Sequence, residues 1–174
     1  VQAGIGRTGT WFSWQQLGFE PDIATSAKAL ANGLPIGACL ATAAVAEAFR
    51  PGDHATTFGG GPVVCAAALA TLAVIEDDEL LANAAARGAQ LKRLLSEPAG
   101  VSAVRGRGLL LAVVLRDPVA GRLVEVGLEE GLVVNDVRPD AVRFSPPLSI
   151  TPAEAEEAAT RFSTVLGRLG PPGT

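Results

Sequence analysis

The sequence predicts an α/β chain that ends in a small α+β domain, and three observations lead there. Apolar segments at residues 23–27 and 36–41 flank Asn32-Gly33 and Pro35, the pattern of two buried strands around a turn. Residues 63–76 are almost entirely Ala, Val, Leu, Ile and Cys behind Pro62, which reads as a helix buried on most faces. From about residue 98 the pattern changes to a compact alternation of strand and helix, after a break at Pro98-Ala99-Gly100. With 174 residues, 48% hydrophobic content and a mean hydropathy of +0.32, the chain is long enough and apolar enough to bury a real core. At this length one domain or two small ones are expected, and the segment from about residue 98 reads as a small α+β domain.

Taken in order, Val1-Gln2 reads as the tail of a strand and residues 4–9, with three glycines among them, as a loop. Trp11, Phe12 and Trp14 follow, either as core or as the wall of a ligand pocket. Residues 43–49 form a short helix stopped by Arg50-Pro51-Gly52. Residues 53–62, DHATTFGGGP, make a polar loop whose glycines allow close backbone approach, or a plain surface turn. The helix of residues 63–76 comes next. Asp77-Asp78-Glu79 then starts a helix over 79–96, with Lys92 and Arg93 at its other end to suit the dipole. Residues 101–104 and 109–115 are strands around the bend Arg105-Gly106-Arg107-Gly108. A helix over 118–130 is closed by Gly131, and strands follow at 132–135 and 141–145. Thr151-Pro152-Ala153-Glu154 caps a last helix that runs to about Leu169, and Gly170-Pro171-Pro172-Gly173 frays.

The composition excludes several classes. A net charge of −4 leaves no nucleic-acid footprint. No apolar run approaches the ~20 residues of a membrane span, and no signal peptide is visible. The single His54 has no nearby Cys or His, so no metal site is expected. Cys39 and Cys65 sit in apolar contexts, as small hydrophobes of a reducing cytoplasm. The chain has no Met and opens on Val1-Gln2-Ala3-Gly4, which leads us to expect a piece of a longer protein.

Lys28 stands out. Only two of the 14 basic residues are lysines, Lys28 and Lys92. Lys28 closes the first apolar segment, where desolvation pushes an ammonium pKa down toward neutrality and leaves a nucleophilic amine able to form a Schiff base. A lysine whose head snorkels to water fits the same position. Residues 4–9 superficially match a phosphate-binding loop but lack its Lys-Ser/Thr, so a nucleotide-binding module is the weakest of the readings.

Five segments in this order, VQAGIGRTG, SAKALANGLPIGA, TTFGG, RGRGLLLAVVL and VRFSPPLSIT, resemble the second half of a class III, pyridoxal-phosphate-dependent aminotransferase. The likeness is to the acetylornithine and ornithine branch. It implies a fold type I enzyme, a homodimer with a large, mostly parallel-sheet domain, which residues 1–90 would complete, and a smaller C-terminal α+β domain over residues 91–174. Lys28 then matches the lysine that holds pyridoxal 5'-phosphate as a Schiff base. Val1 and Gln2 match residues against the cofactor, Gln2 at its phenolic oxygen. Thr57 matches the threonine that reaches the phosphate of the neighbouring subunit, Thr56 a position near the substrate, and Arg143 the arginine that grips the substrate α-carboxylate. From the residues alone, Arg143 reads as an ordinary exposed strand arginine. Departures are visible too. Lys28-Ala29-Leu30-Ala31-Asn32-Gly33 replaces a run richer in glycine, so Asn32 rather than Ala31 must serve any left-handed position. Gly61 stands for an Asn and His54-Ala55 for His-Gly. The aspartate of the pyridine nitrogen and the glycine-rich phosphate loop would precede Val1. The implied reaction moves an amino group from N-acetylornithine or ornithine to 2-oxoglutarate, in arginine biosynthesis. A 4-aminobutyrate or other ω-amine transaminase, or a non-catalytic remnant that binds a partner subunit, remain alternatives.

Overall fold

The computed structural model describes residues 1–170. The expected fraying at Pro171-Pro172-Gly173 lies outside the described residues. The chain divides into two compact units, Val1–Leu81 and Ala82–Thr174, so almost all of the helix expected over 79–96 falls in the second.

In the first unit, a glycine-rich turn leads through a short 3-10 segment, Ser13–Gln16, to β1 (Ile23–Ser26). A second 3-10 turn, Lys28–Ala31, connects to β2 (Ala38–Ala41), which pairs antiparallel with β1 in the register Ile23↔Ala41 to Ser26↔Ala38. The turn forms where Asn32-Gly33 predicts it, with both residues at positive φ, 46° and 114°. The strands are not buried as expected. Every residue of β2 is exposed, and in β1 only Ser26 is fully covered, while Ile23 and Leu40 stay 54% and 50% exposed. Val1-Gln2 is not a strand tail; it makes no ladder, and the Val1 amino group donates to the Thr25 carbonyl at 3.2 Å.

The short helix α1 (Ala43–Ala46) lies inside its expected range. Helix α2 (Pro62–Asp77) begins on its proline as predicted but is not buried on most faces. Ala68 and Ile75 are covered, and α2 packs on the Lys28–Ala31 turn, while Val63 and Leu69 stay 72% and 69% exposed. Its apolar circumference asks for more neighbours than the first unit has. The acidic trio does not open the next helix either. Asp77 ends α2, Asp78 is its C-cap, and Glu79 takes φ 51° as the linking residue.

The second unit is a four-stranded antiparallel sheet, order β3-β4-β6-β5, under helices. Its members are α3 (Leu80–Leu94), β3 (Val101–Arg107), β4 (Leu110–Leu115), α4 (Ala120–Glu129), β5 (Asn135–Arg138), β6 (Ala141–Phe144) and α5 (Pro152–Leu169). Burial of Ala155, Ala159, Phe162, Val165 and Leu169 sets one stripe of α5 on the sheet, and Phe162 meets Phe144 edge-on at 5.5 Å. Strands expected at 101–104 and 109–115 are one hairpin. The strand expected at 132–135 starts instead at Asn135, because the Leu132 N–H is spent on the Gly127 carbonyl at the end of α4, where Gly131 has φ 70°. All strand pairs among the described residues are antiparallel. Among them, no helix is long and apolar enough to cross a membrane.

Candidate active site

Lys28 is the first residue of the 3-10 turn that leaves β1, at φ 53°. A long, unbranched residue in the left-handed region is uncommon and costs backbone energy, and such outliers concentrate at functional positions. Its side chain is exposed, and among the described residues its ammonium has no hydrogen-bonding or ion-pairing partner. The described residues therefore do not provide the apolar surround expected from the sequence. The positive φ was not foreseen, since no local signal marks a lysine for it. Asn32, foreseen for that conformation, adopts it, and Ala31 does not.

Val1 and Gln2 are both exposed. The loop around Thr56 and Thr57 is exposed throughout. The Gly59 N–H donates to Thr56 Oγ1 at 3.1 Å, and a Cβ at Gly59 would lie 2.7 Å from the Thr56 methyl, so a larger residue there would push the Thr56 side chain aside. Thr57 keeps its hydroxyl without a partner among the described residues.

The loop of residues 4–9 is folded inward and is no phosphate cradle. Ile5, Gly6 and Thr8 are buried, and the Gly6 and Gly9 amides donate to the carbonyls of Trp11 and Gly6. Its Arg7 is half-buried, and burial lowers the guanidinium pKa. Phe12 and Trp14 stack at 6.0 Å. Both line a cavity of about 290 Å³, and Phe12 with Trp11 also lines one of about 400 Å³. They are half-buried, which fits the pocket-wall reading better than that of core. Cys39 is exposed and Cys65 half-buried, both as free thiols, so Cys39 does not pack as a hydrophobe. Cys65 Sγ donates to the Gly60 carbonyl at 3.3 Å.

Arg143 lies in the second unit, on β6. Its Nη2 donates to Asn135 Oδ1 at 3.2 Å, and its Nε is shielded from water with no partner. It is half-buried rather than exposed. A buried unpaired donor costs on the order of 1–3 kcal/mol unless a ligand meets it, so the orphaned Nε suits a carboxylate-binding arginine. The segment that follows the strand is tied to α3. Asn83 Nδ2 donates to the Leu148 and Ile150 carbonyls at 2.7 and 3.0 Å, and Gln90 Nε2 to that of Pro152 at 3.0 Å. Neither Asn83 nor Gln90 was singled out from the sequence, where they look like ordinary polar positions of a surface helix.

The chain belongs to the class III aminotransferase family, whose pattern matches residues 1–166. Among its relatives, the acetylornithine aminotransferase of Corynebacterium efficiens is 50% identical over 169 residues, 97% of this chain and 42% of that protein. That of Gloeobacter violaceus is 45% identical over 174 residues. The chain thus spans 42% and 43% of the length of these curated relatives. Of solved structures, the acetylornithine aminotransferase of Elizabethkingia anophelis superposes with a TM-score of 0.89 at 32% identity, over 97% of this chain and 46% of that one. The ornithine aminotransferase of Toxoplasma gondii, crystallized in the presence of oxidized glutathione with PLP partially occupying its active site, gives 0.88 at 34% identity, over 97% of this chain and 41% of that one. The fold is therefore the matching part of a fold type I transaminase, as expected.

Proposed function

We propose that the chain supplies the lysine-bearing part of a pyridoxal 5'-phosphate-dependent aminotransferase that transfers the amino group of N-acetylornithine or ornithine to 2-oxoglutarate. The observation that carries this reading is Lys28: an exposed amine without a polar partner, on a left-handed residue at the end of β1, inside a class III sequence. When bound, the cofactor withdraws electrons from the amino-acid carbon. Lys28 would hold it through Nζ, and its free amine would carry the proton to and from that carbon as general base and acid. Gln2, beside Val1, would donate to the phenolic oxygen, and the Thr57 hydroxyl would donate to a phosphate oxygen across a homodimer interface. Arg143 offers its fork to the substrate carboxylate, with Thr56 near the substrate. In this reading residues 1–90 complete the cofactor-binding domain and 91–174 form the small domain. The enzyme works in the cytoplasm, in arginine biosynthesis. An ω-amine donor is the second reading, favoured by the (S)-enantioselective omega-transaminase of Thermomicrobium roseum, which superposes with a TM-score of 0.89 at 34% identity over 42% of its chain.

The test uses the full-length enzyme that contains this chain. Borohydride reduction in the presence of pyridoxal phosphate is expected to fix the cofactor on the Lys28 peptide. Label on Lys92, or on neither lysine, defeats the assignment.

A further inference from the structure

We infer that Asn135 is a positioning residue for Arg143, a step that rests on the carboxylate role proposed above. Arg143 on β6 is directly opposed by Asn135 on β5 and by Ala112 on β4. Directly opposed residues of an antiparallel ladder share a face. The flanking Val142 and Phe144 are buried in the core, at 0% and 4% exposure, so the row Asn135–Arg143–Ala112 lies on the other face of the sheet. Across this row the guanidinium has a polar neighbour on one side and a methyl group on the other. The polar neighbour holds it through the 3.2 Å bond from Nη2 to Asn135 Oδ1. Arginine only donates, so the amide must present its oxygen, which fixes both side chains relative to each other.

The choice of a neutral acceptor has a consequence. An aspartate at 135 would hold the fork more tightly but would neutralise it. Asparagine orients the fork and leaves its full charge for an incoming anion. No carboxylate among the described residues pairs with Arg143. Nη2 keeps a second hydrogen, and the shielded Nε–H has no partner, so donors remain for a carboxylate once Asn135 has taken its share. Asn135 is exposed and ends no helix, so its bond contributes little to the fold itself.

The experiment uses the full-length enzyme described above, with Asn135→Ala, Asn135→Asp, Arg143→Ala and the Ala/Ala double variant. Steady-state kinetics are combined with equilibrium binding of an unreactive dicarboxylate, glutarate, and with thermal melting. Asn135→Ala is expected to raise KM for the 2-oxoacid and the glutarate Kd by about 5- to 20-fold, with kcat within about twofold and Tm within about 2 °C. Asn135→Asp should raise both constants further, because its carboxylate occupies the fork. In the double variant, loss of Asn135 should add nothing to Arg143→Ala. Three results overturn the inference: unchanged KM and Kd in Asn135→Ala while Arg143→Ala raises both, additive effects in the double variant, or a kcat loss that tracks a fall in Tm. If Arg143→Ala itself leaves KM and Kd unchanged, the carboxylate reading fails first and takes this one with it.

Discussion

At Arg143 the sequence and the structure part company in an instructive way. Residue statistics place a strand arginine in solvent, yet the ladder puts this one between Asn135 and Ala112 and shields its Nε. That arrangement depends on pairing between strands far apart in sequence, which no local pattern reveals. Lys28 shows the reverse. The sequence singles it out as chemistry, but its apolar setting does not appear, and its positive φ was invisible in advance. Asn32 was legible because few non-glycine residues tolerate the left-handed region. Two predictions belong at this scale. Replacing Arg143 by Ala in the full-length enzyme should raise KM for both substrates by about 10²-fold, and Arg143→Lys should rescue poorly because an ammonium cannot reproduce the fork, as steady-state kinetics will read. Replacing Asn32 by Val, whose branched side chain resists φ 46°, should destabilise the first unit by about 1–2 kcal/mol in denaturant unfolding, whereas Asn32→Gly should be tolerated.

Among the elements, those with explicit start and stop chemistry were legible. The cap at Thr151-Pro152 is formed as read, with Thr151 Oγ1 accepting from the Glu154 amide at 3.2 Å and Glu154 Oε2 accepting from the Thr151 amide at 2.8 Å. The Thr151 backbone bond, then its hydroxyl bond, lower the Glu154 pKa. A depressed carboxylate contributes stability that is present above its unfolded pKa and is lost as pH falls through its folded pKa. The α5 N-terminus should therefore loosen in acid below the usual glutamate range, and Glu154→Gln should remove that part of the pH dependence of amide exchange at residues 151–155. Elements whose limits are set by tertiary packing were less legible. In α3, Gly88 looks like a mere weak point of a helix, but a Cβ there would fall on the Gly108 carbonyl of the β3–β4 turn. Gly88→Ala meets backbone that cannot yield and should cost about 1–3 kcal/mol in denaturant unfolding.

For the molecule as a whole, apolar sequence told what seeks burial but not what provides it. The second unit satisfies its own demand. Its helices and sheet enclose a continuous core in which Leu91, Leu95, Leu109, Leu123, Val113, Val142, Phe162 and Val165 are fully covered. In the first unit the covered apolar residues are few, chiefly Ile5, Leu30, Ala31, Ala68 and Ile75, while Phe58 is 90% exposed and the outer side of α2 carries Val63 and Leu69 in solvent. An amide opens as often as its surroundings let it, and surroundings with few buried contacts let it open readily. Hydrogen exchange on the purified 174-residue chain should thus show two levels. Amides of β4, β6 and α5 should exchange only with global unfolding of the second unit, and those of β1, β2 and α2 should exchange orders of magnitude faster. The exposed apolar surface of the first unit should also bind a hydrophobic dye and make the chain prone to associate. Uniform strong protection of residues 1–81 in the monomeric chain, with no dye binding, would show that the first unit's sparse core is sufficient by itself.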